Sequence, residues 1–161
     1  MTEPDHVHEL ARLLGDETFA MLTTRSEDGT LMSRPMALQE VEFDGDLWFF
    51  TARDSRKAAH VTAEPQVNVT VSSRSVWVSL TGPASVVEDQ AKKRELWNAG
   101  IEAWFPDGCE SDKIVLLRVA GASAEYWDTP GGRVTTAISY VKATLTGRRY
   151  TGGEDHELDL T

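Results

Sequence analysis

Thr51, Ser55, Arg56 and Lys57, in the stretch LWFFTARDSRKAAH (47–60), have between them the chemistry to hold an anion. The hydroxyls can donate, and the guanidinium and ammonium supply charge. Asp54 or Ser55 can cap a helix starting at Arg56, which leaves backbone N–H groups pointing out of its first turn. Positive side chains in a first turn oppose the helix dipole, and a bound phosphate would offset that. The alternative is that Ser55 only caps and the basic residues are solvated. On these residues alone both readings stand.

Arg34, in LMSRPMAL (31–38), poses a similar question. Under strand alternation it shares a face with Met32, Met36 and Leu38, and an arginine there is costly unless it reaches an anion or a carboxylate. The other reading is an exposed edge arginine. Pro35 lacks an N–H, which puts the segment at a sheet edge or in a locally opened strand, where a ligand could take backbone hydrogen bonds. Trp104 and Phe105 in AWFP, and Tyr126 and Trp127 in EYWD, fall near predicted element ends. Core packing is the common role for such rings, and stacking on a planar ligand is the other.

Other chemistries lack their residues. His6, His8, His60 and His156 include no pair at helical i, i+4 spacing, and with the single Cys109 they form no metal motif. There is no Gly-x-Ser-x-Gly elbow, no Gly-x-Gly-x-x-Gly and no Walker loop. Asp107, Glu110 and Asp112 around Cys109 argue against a nucleophile. Nothing supports hydrolysis, and no catalytic residue stands out. A net charge of −10 argues against nucleic acid and anionic membranes as partners. No apolar run approaches the roughly 18 residues of a membrane span, MTEPDHVHEL is not a secretory leader, and one cysteine suits a reducing compartment, so a cytoplasmic protein is expected.

The elements that must position these residues read as follows. Residues 5–15 form an amphipathic helix with Val7, Leu10, Leu13 and Leu14 on one side. TFAMLTTRSEDGTLMSRPMALQEVEFDGDLWFFT reads as three successive antiparallel strands joined by hairpin turns at Asp28-Gly29 and Asp44-Gly45. A helix over 55–63 ends before Pro65. QVNVTVSS and SVWVSLTGPASVVED alternate as strands, the second with a bend or bulge at Gly82-Pro83. Residues 88–105 read as one helix, DKIVLLRVAGASAEYWD as two strands, and TTAISYVKATLTG as a last helix. The tail, 148–161, is polar and Gly-rich, expected to be flexible or to lie on a partner. A single domain over 1–147 is therefore expected, with 161 residues in all. It is mainly β with flanking helices, six or seven antiparallel strands forming a small barrel. Such a barrel is filled by its own side chains, so a ligand would sit outside it or at a subunit boundary.

In their order, SRPM, LWFFTARDSRKAAHV, PQVNVTVSS, VSLTGPASVVED, LWNAGIEAWFPDG, IVLLRVAGASAEYWD and KATLTG resemble the pyridoxamine 5′-phosphate oxidase-like, FMN-binding split-barrel proteins. The general stress protein branch is the nearest in pattern, from about Leu10 to Gly147. The resemblance implies a six- to seven-stranded antiparallel split β-barrel and a homodimer with FMN at its interface. Arg34, Pro35 and Met36 then contact the flavin and its phosphate. Phe50 and Thr51 lie at the strand end beside the ring and ribityl chain, and Ser55, Arg56 and Lys57 grip the phosphate. Val71 and Ser72 approach the cofactor, Trp104 and Phe105 cover the ring from the other subunit, and Trp127 lies near the flavin.

Redox chemistry would be the flavin's, on an unknown small substrate, with NAD(P)H as a candidate electron donor. The rivals are a deazaflavin (F420)-dependent reductase on the same fold and a non-catalytic flavin-binding stress-response protein. A barrel module without cofactor is the reading if the basic turn is only a cap. Two departures are visible. GGRVTTAISY stands where the true vitamin-processing oxidases carry an Arg-x-His substrate motif, which argues against pyridoxamine phosphate oxidation. PDGCESD also places Cys109 in a loop where the relatives tend to be acidic.

Overall fold

A computed structural model describes residues 3–15, 17–39, 43–73, 76–128 and 154–159. Helix α1 (Glu3–Leu14) buries Leu10, Leu13 and Leu14 against the main core. Strands β1 (Phe19–Arg25), β2 (Leu31–Ala37) and β3 (Asp46–Ala52) follow, with Gly29 and Gly45 at φ 86° and 108°. Positive φ is a backbone region that glycine enters without a Cβ penalty. Of the two expected hairpins only the one at Asp28-Gly29 forms, because Asp46–Ala52 pairs with Ile114–Ala120 and not with Leu31–Ala37. Then come α2 (Arg56–Ala63), β4 (Gln66–Ser72), β5 (Val76–Val87), α3 (Gln90–Leu96), α4 (Ala99–Trp104), β6 (Ile114–Ala120) and β7 (Ser123–Asp128). The helix expected around Ile138–Leu145 lies outside the described residues.

Every strand pairing is antiparallel, in the order β2-β1-β4-β5-β6-β3, with β7 also on β5. The protein is mainly β, its sheet curled into a half-barrel as in a split barrel. Alternation explains the core: Ala20, Leu22, Val67, Val69, Val71, Val78 and Leu80 point inward from successive strands. Strand β3 serves two layers. Leu47 and Phe49 enter the barrel core, while Phe50 joins Leu96, Ile101, Ile114 and Leu116 beneath α3 and α4.

The predicted bend at Gly82-Pro83 is where β5 changes partners. Residues up to Pro83 pair with β4, and Ala84 to Val87 pair with β6. A Cβ on Gly82 would stand 1.8 Å from the Ala120 carbonyl oxygen, so only glycine allows this closure.

Two further expectations are corrected. The helix read over 88–105 is α3 and α4, because Asn98 leaves the helical conformation and its side chain accepts from Ile101 N. This redirects the chain so that Leu96 and Ile101 both reach the cluster under β3. The tail expected to be flexible or to lie on a partner contributes β8 (Glu154–Asp159), which pairs with β7 of the same chain.

Candidate functional site

Strand β3 delivers Thr51 to the end of the barrel on its inward face, where it is buried. Three residues on, the chain turns into α2. Ser55 is the N-cap: its Oγ accepts from Ala58 N at 3.3 Å and lies 2.9 Å from Thr51 Oγ1. Capping does not exhaust the helix end. The Arg56 and Lys57 backbone N–H groups have no partner among the described residues, as expected for orphan donors of a first turn. No acidic side chain occupies that turn.

Arg34 stands on the inner face of β2, opposite buried Leu22 and beside buried Met36. Its Nη1 donates to the Leu22 carbonyl at 3.1 Å and to Thr24 Oγ1 at 2.7 Å. It therefore reaches neutral oxygens; no carboxylate pairs with it among the described residues. Among the described residues strand β2 pairs only with β1, so Pro35 sits on an edge, as its missing donor requires.

These cations feel one another. Arg34 is lowered from its ordinary pKa by burial and then by the charge of Arg56. Lys57 is lowered by burial and then by the charge of Arg34. Three like charges thus converge with no acidic side chain bonded to any of them among the described residues. Partly desolvated Arg34 and Lys57, with exposed Arg56 and unused N–H donors beside them, give this end of the barrel the chemistry to hold an anion. Arg53 takes no part in it: its Nε donates to the Asp112 carbonyl at 2.7 Å and its Nη1 pairs with Glu88.

The remaining predicted residues lie elsewhere in this chain. Phe50 packs edge-on against Trp97, with ring centroids 5.5 Å apart, and lies 6.4 Å from Phe105. Val71 has its side chain in the barrel core, and Ser72 is exposed on the outer face. Trp127 is on that outer face too, opposite Trp77. Trp104 is 71% exposed, and with Phe105, Arg53 and Lys113 it lines a cleft of about 550 Å³. Arg34, Thr51, Ser55, Arg56 and Lys57 are therefore gathered at one end of this chain's barrel, whereas Trp104, Ser72 and Trp127 face outward.

Thr24 and His60 were not among the expected site residues. Buried Thr24 Oγ1 lies 3.0 Å from His60 Nδ1 as well as accepting from Arg34. His60 follows Arg56 by one helical turn, and the two line a cleft of about 490 Å³ with Met32 and the β1–β2 turn. That i, i+4 spacing was the available signal for His60. Thr24 had none beyond its inward place in the alternation.

Residues 5–151 match the family described as pyridoxamine 5′-phosphate oxidase like. The protein bli-3 of Neurospora crassa is 29% identical over 164 residues, covering 94% of this chain and 78% of that protein. A structure from Jannaschia sp. named as a general stress protein 26 superposes with a TM-score of 0.77 at 28% identity, covering 97% of this chain and 99% of the other. The general stress FMN/FAD binding protein of Xanthomonas citri gives 0.67 at 27% identity, covering 78% of this chain and 89% of that one. Among the described residues no helix is long and apolar enough to cross a membrane.

Proposed function

The chain belongs to the pyridoxamine 5′-phosphate oxidase-like family, and from that premise we propose that it is a cytoplasmic FMN-binding oxidoreductase working as a homodimer. The observation that carries the reading is the cradle of Arg34, Arg56 and Lys57, which converge without a carboxylate partner among the described residues. A phosphate monoester carries close to two negative charges at neutral pH. It matches three cations better than the single charge of a phosphodiester, and this favours FMN over a deazaflavin whose phosphate is esterified twice.

Arg34, Thr51, Ser55, Arg56 and Lys57 would hold the phosphate end through side chains and the N–H groups of α2. The edge of β2 around Pro35 and Met36 offers unpaired backbone to the ring. Trp104, 71% exposed on its own subunit, is available to cover a ring held by the partner. A bound flavin supplies hydride transfer at its N5, which is why this chain needs no acid–base residue of its own. The chain's part is to bind, orient and shield. A small organic acceptor and NAD(P)H as reductant complete the proposal.

The test is direct. Purified protein titrated with FMN should quench flavin fluorescence with saturable, stoichiometric binding, and anaerobic NADPH or NADH should then bleach the yellow complex. A protein that takes up F420 and not FMN would overturn the cofactor. One that takes up neither would overturn the reading as a whole. Binding of FMN without bleaching would identify a flavin carrier instead of an enzyme using nicotinamide.

A further inference from the structure

We infer that His60 is a positioning residue of the anion cradle, acting through the buried hydroxyl of Thr24 to hold the Arg34 guanidinium in place. The inference rests on the proposal that this cradle takes a flavin phosphate.

Its basis is a donor and acceptor account of one chain of contacts. A guanidinium can only donate, so the 2.7 Å contact from Arg34 Nη1 uses a lone pair of Thr24 Oγ1. The hydroxyl proton of Thr24 must then go to another acceptor. Thr24 is 1% exposed, and the only other side-chain partner of its Oγ1 among the described residues is His60 Nδ1, at 3.0 Å. His60 therefore accepts at Nδ1 and carries its proton on Nε2. In that tautomer the chain runs in one direction, guanidinium to hydroxyl to imidazole, and each donor polarises the next.

Without the imidazole, the Thr24 proton has no acceptor in a buried position, and the hydroxyl is free to turn away from its present orientation. Arg34 is then fixed by the Leu22 carbonyl at 3.1 Å and by a Thr24 oxygen whose lone pairs are no longer directed at it. Helix α2 thus contributes twice to the cradle. Arg56 and Lys57 supply charge at its start, and His60, one turn later, sets the direction of the third cation across on β2.

The experiment compares FMN with riboflavin, which lacks the phosphate, on wild type and on Thr24→Val, Thr24→Ser and His60→Phe, by flavin fluorescence. Removal of one contact to a charged group should weaken FMN about tenfold in Thr24→Val and about threefold in His60→Phe. Riboflavin affinity should not change, and Thr24→Ser, which keeps the oxygen, should stay within about twofold of wild type. Equal losses for FMN and riboflavin would mean a general packing role and overturn the inference, as would unchanged FMN binding. Imidazole ¹⁵N spectra of wild type at pH 8 test it without any flavin. The Nε2–H tautomer is expected, and a dominant Nδ1–H form overturns it. If wild type binds neither flavin, the phosphate reading falls by itself. The tautomer still decides whether His60 is coupled to Arg34.

Discussion

Lys57 sits where burial and Arg34 both push its pKa below the ordinary lysine value of 10.5. A nearby phosphate favours the ammonium and raises that value again, so binding takes up a proton in the interval between the two. FMN affinity should accordingly fall as pH rises through the lowered value, below the ordinary lysine range. The stability of the ligand-free protein moves the other way in this window, because the unfolded lysine keeps its proton to higher pH. Lys57→Arg should flatten the alkaline fall in affinity, since arginine does not titrate there. Lys57→Ala should weaken FMN about tenfold or more at neutral pH while leaving the thermal midpoint close to wild type. Isothermal titration across pH 7 to 10 checks both variants. A flat wild-type profile would count against a phosphate contact at Lys57.

Strand β5 is the element on which the barrel depends, because it carries β4 and β7 along one stretch and β6 along the next. The change of partner falls at Gly82, against the Ala120 carbonyl. Gly82→Ala must push β5 and the turn after β6 apart, and backbone on both sides cannot yield as a flexible side chain could. We expect a loss of about 3 kcal/mol or more by urea denaturation. A stability equal to wild type would show that the sheet opens there at no cost. Helices α3 and α4 show the opposite economy: a single capping residue, Asn98, splits one amphipathic stretch into two short pieces that roof Phe50.

For the molecule as a whole, the outer face of the sheet carries Phe19 at 55%, Met21 at 41% and Trp77 at 39% exposure, with Trp127 beside Trp77. Apolar side chains gathered on one face of a sheet suit burial against a second copy. The proposed homodimer predicts a dimer in sedimentation at micromolar concentration. The double variant Phe19→Glu and Met21→Glu should shift it to monomer and weaken FMN, because the partner's rings are then withdrawn. A monomeric wild type that binds FMN fully would remove the partner from the site.

Some of this was legible in the amino-acid order and some was not. The strands are local: alternation such as Val67, Val69 and Val71 marks its own inward face, and Asp28-Gly29 and Asp44-Gly45 mark their own turns. The basic end of the candidate site is local as well, since Thr51, Ser55, Arg56 and Lys57 lie within one strand end and one helix start. Three features needed the folded chain. Thr24 and His60 are 36 positions apart and meet only because α2 lies across β1. The pairing of β8 with β7 joins segments whose polar residues carry no periodic signal for it. At Gly82 the sequence announces a departure from regular strand, but the identity of the new partner comes from Ala120 closing on it. Periodicity and capping act over a few residues and can be read one segment at a time. Register and side-chain relays depend on which segments the core brings together, and only the packed barrel contains that information.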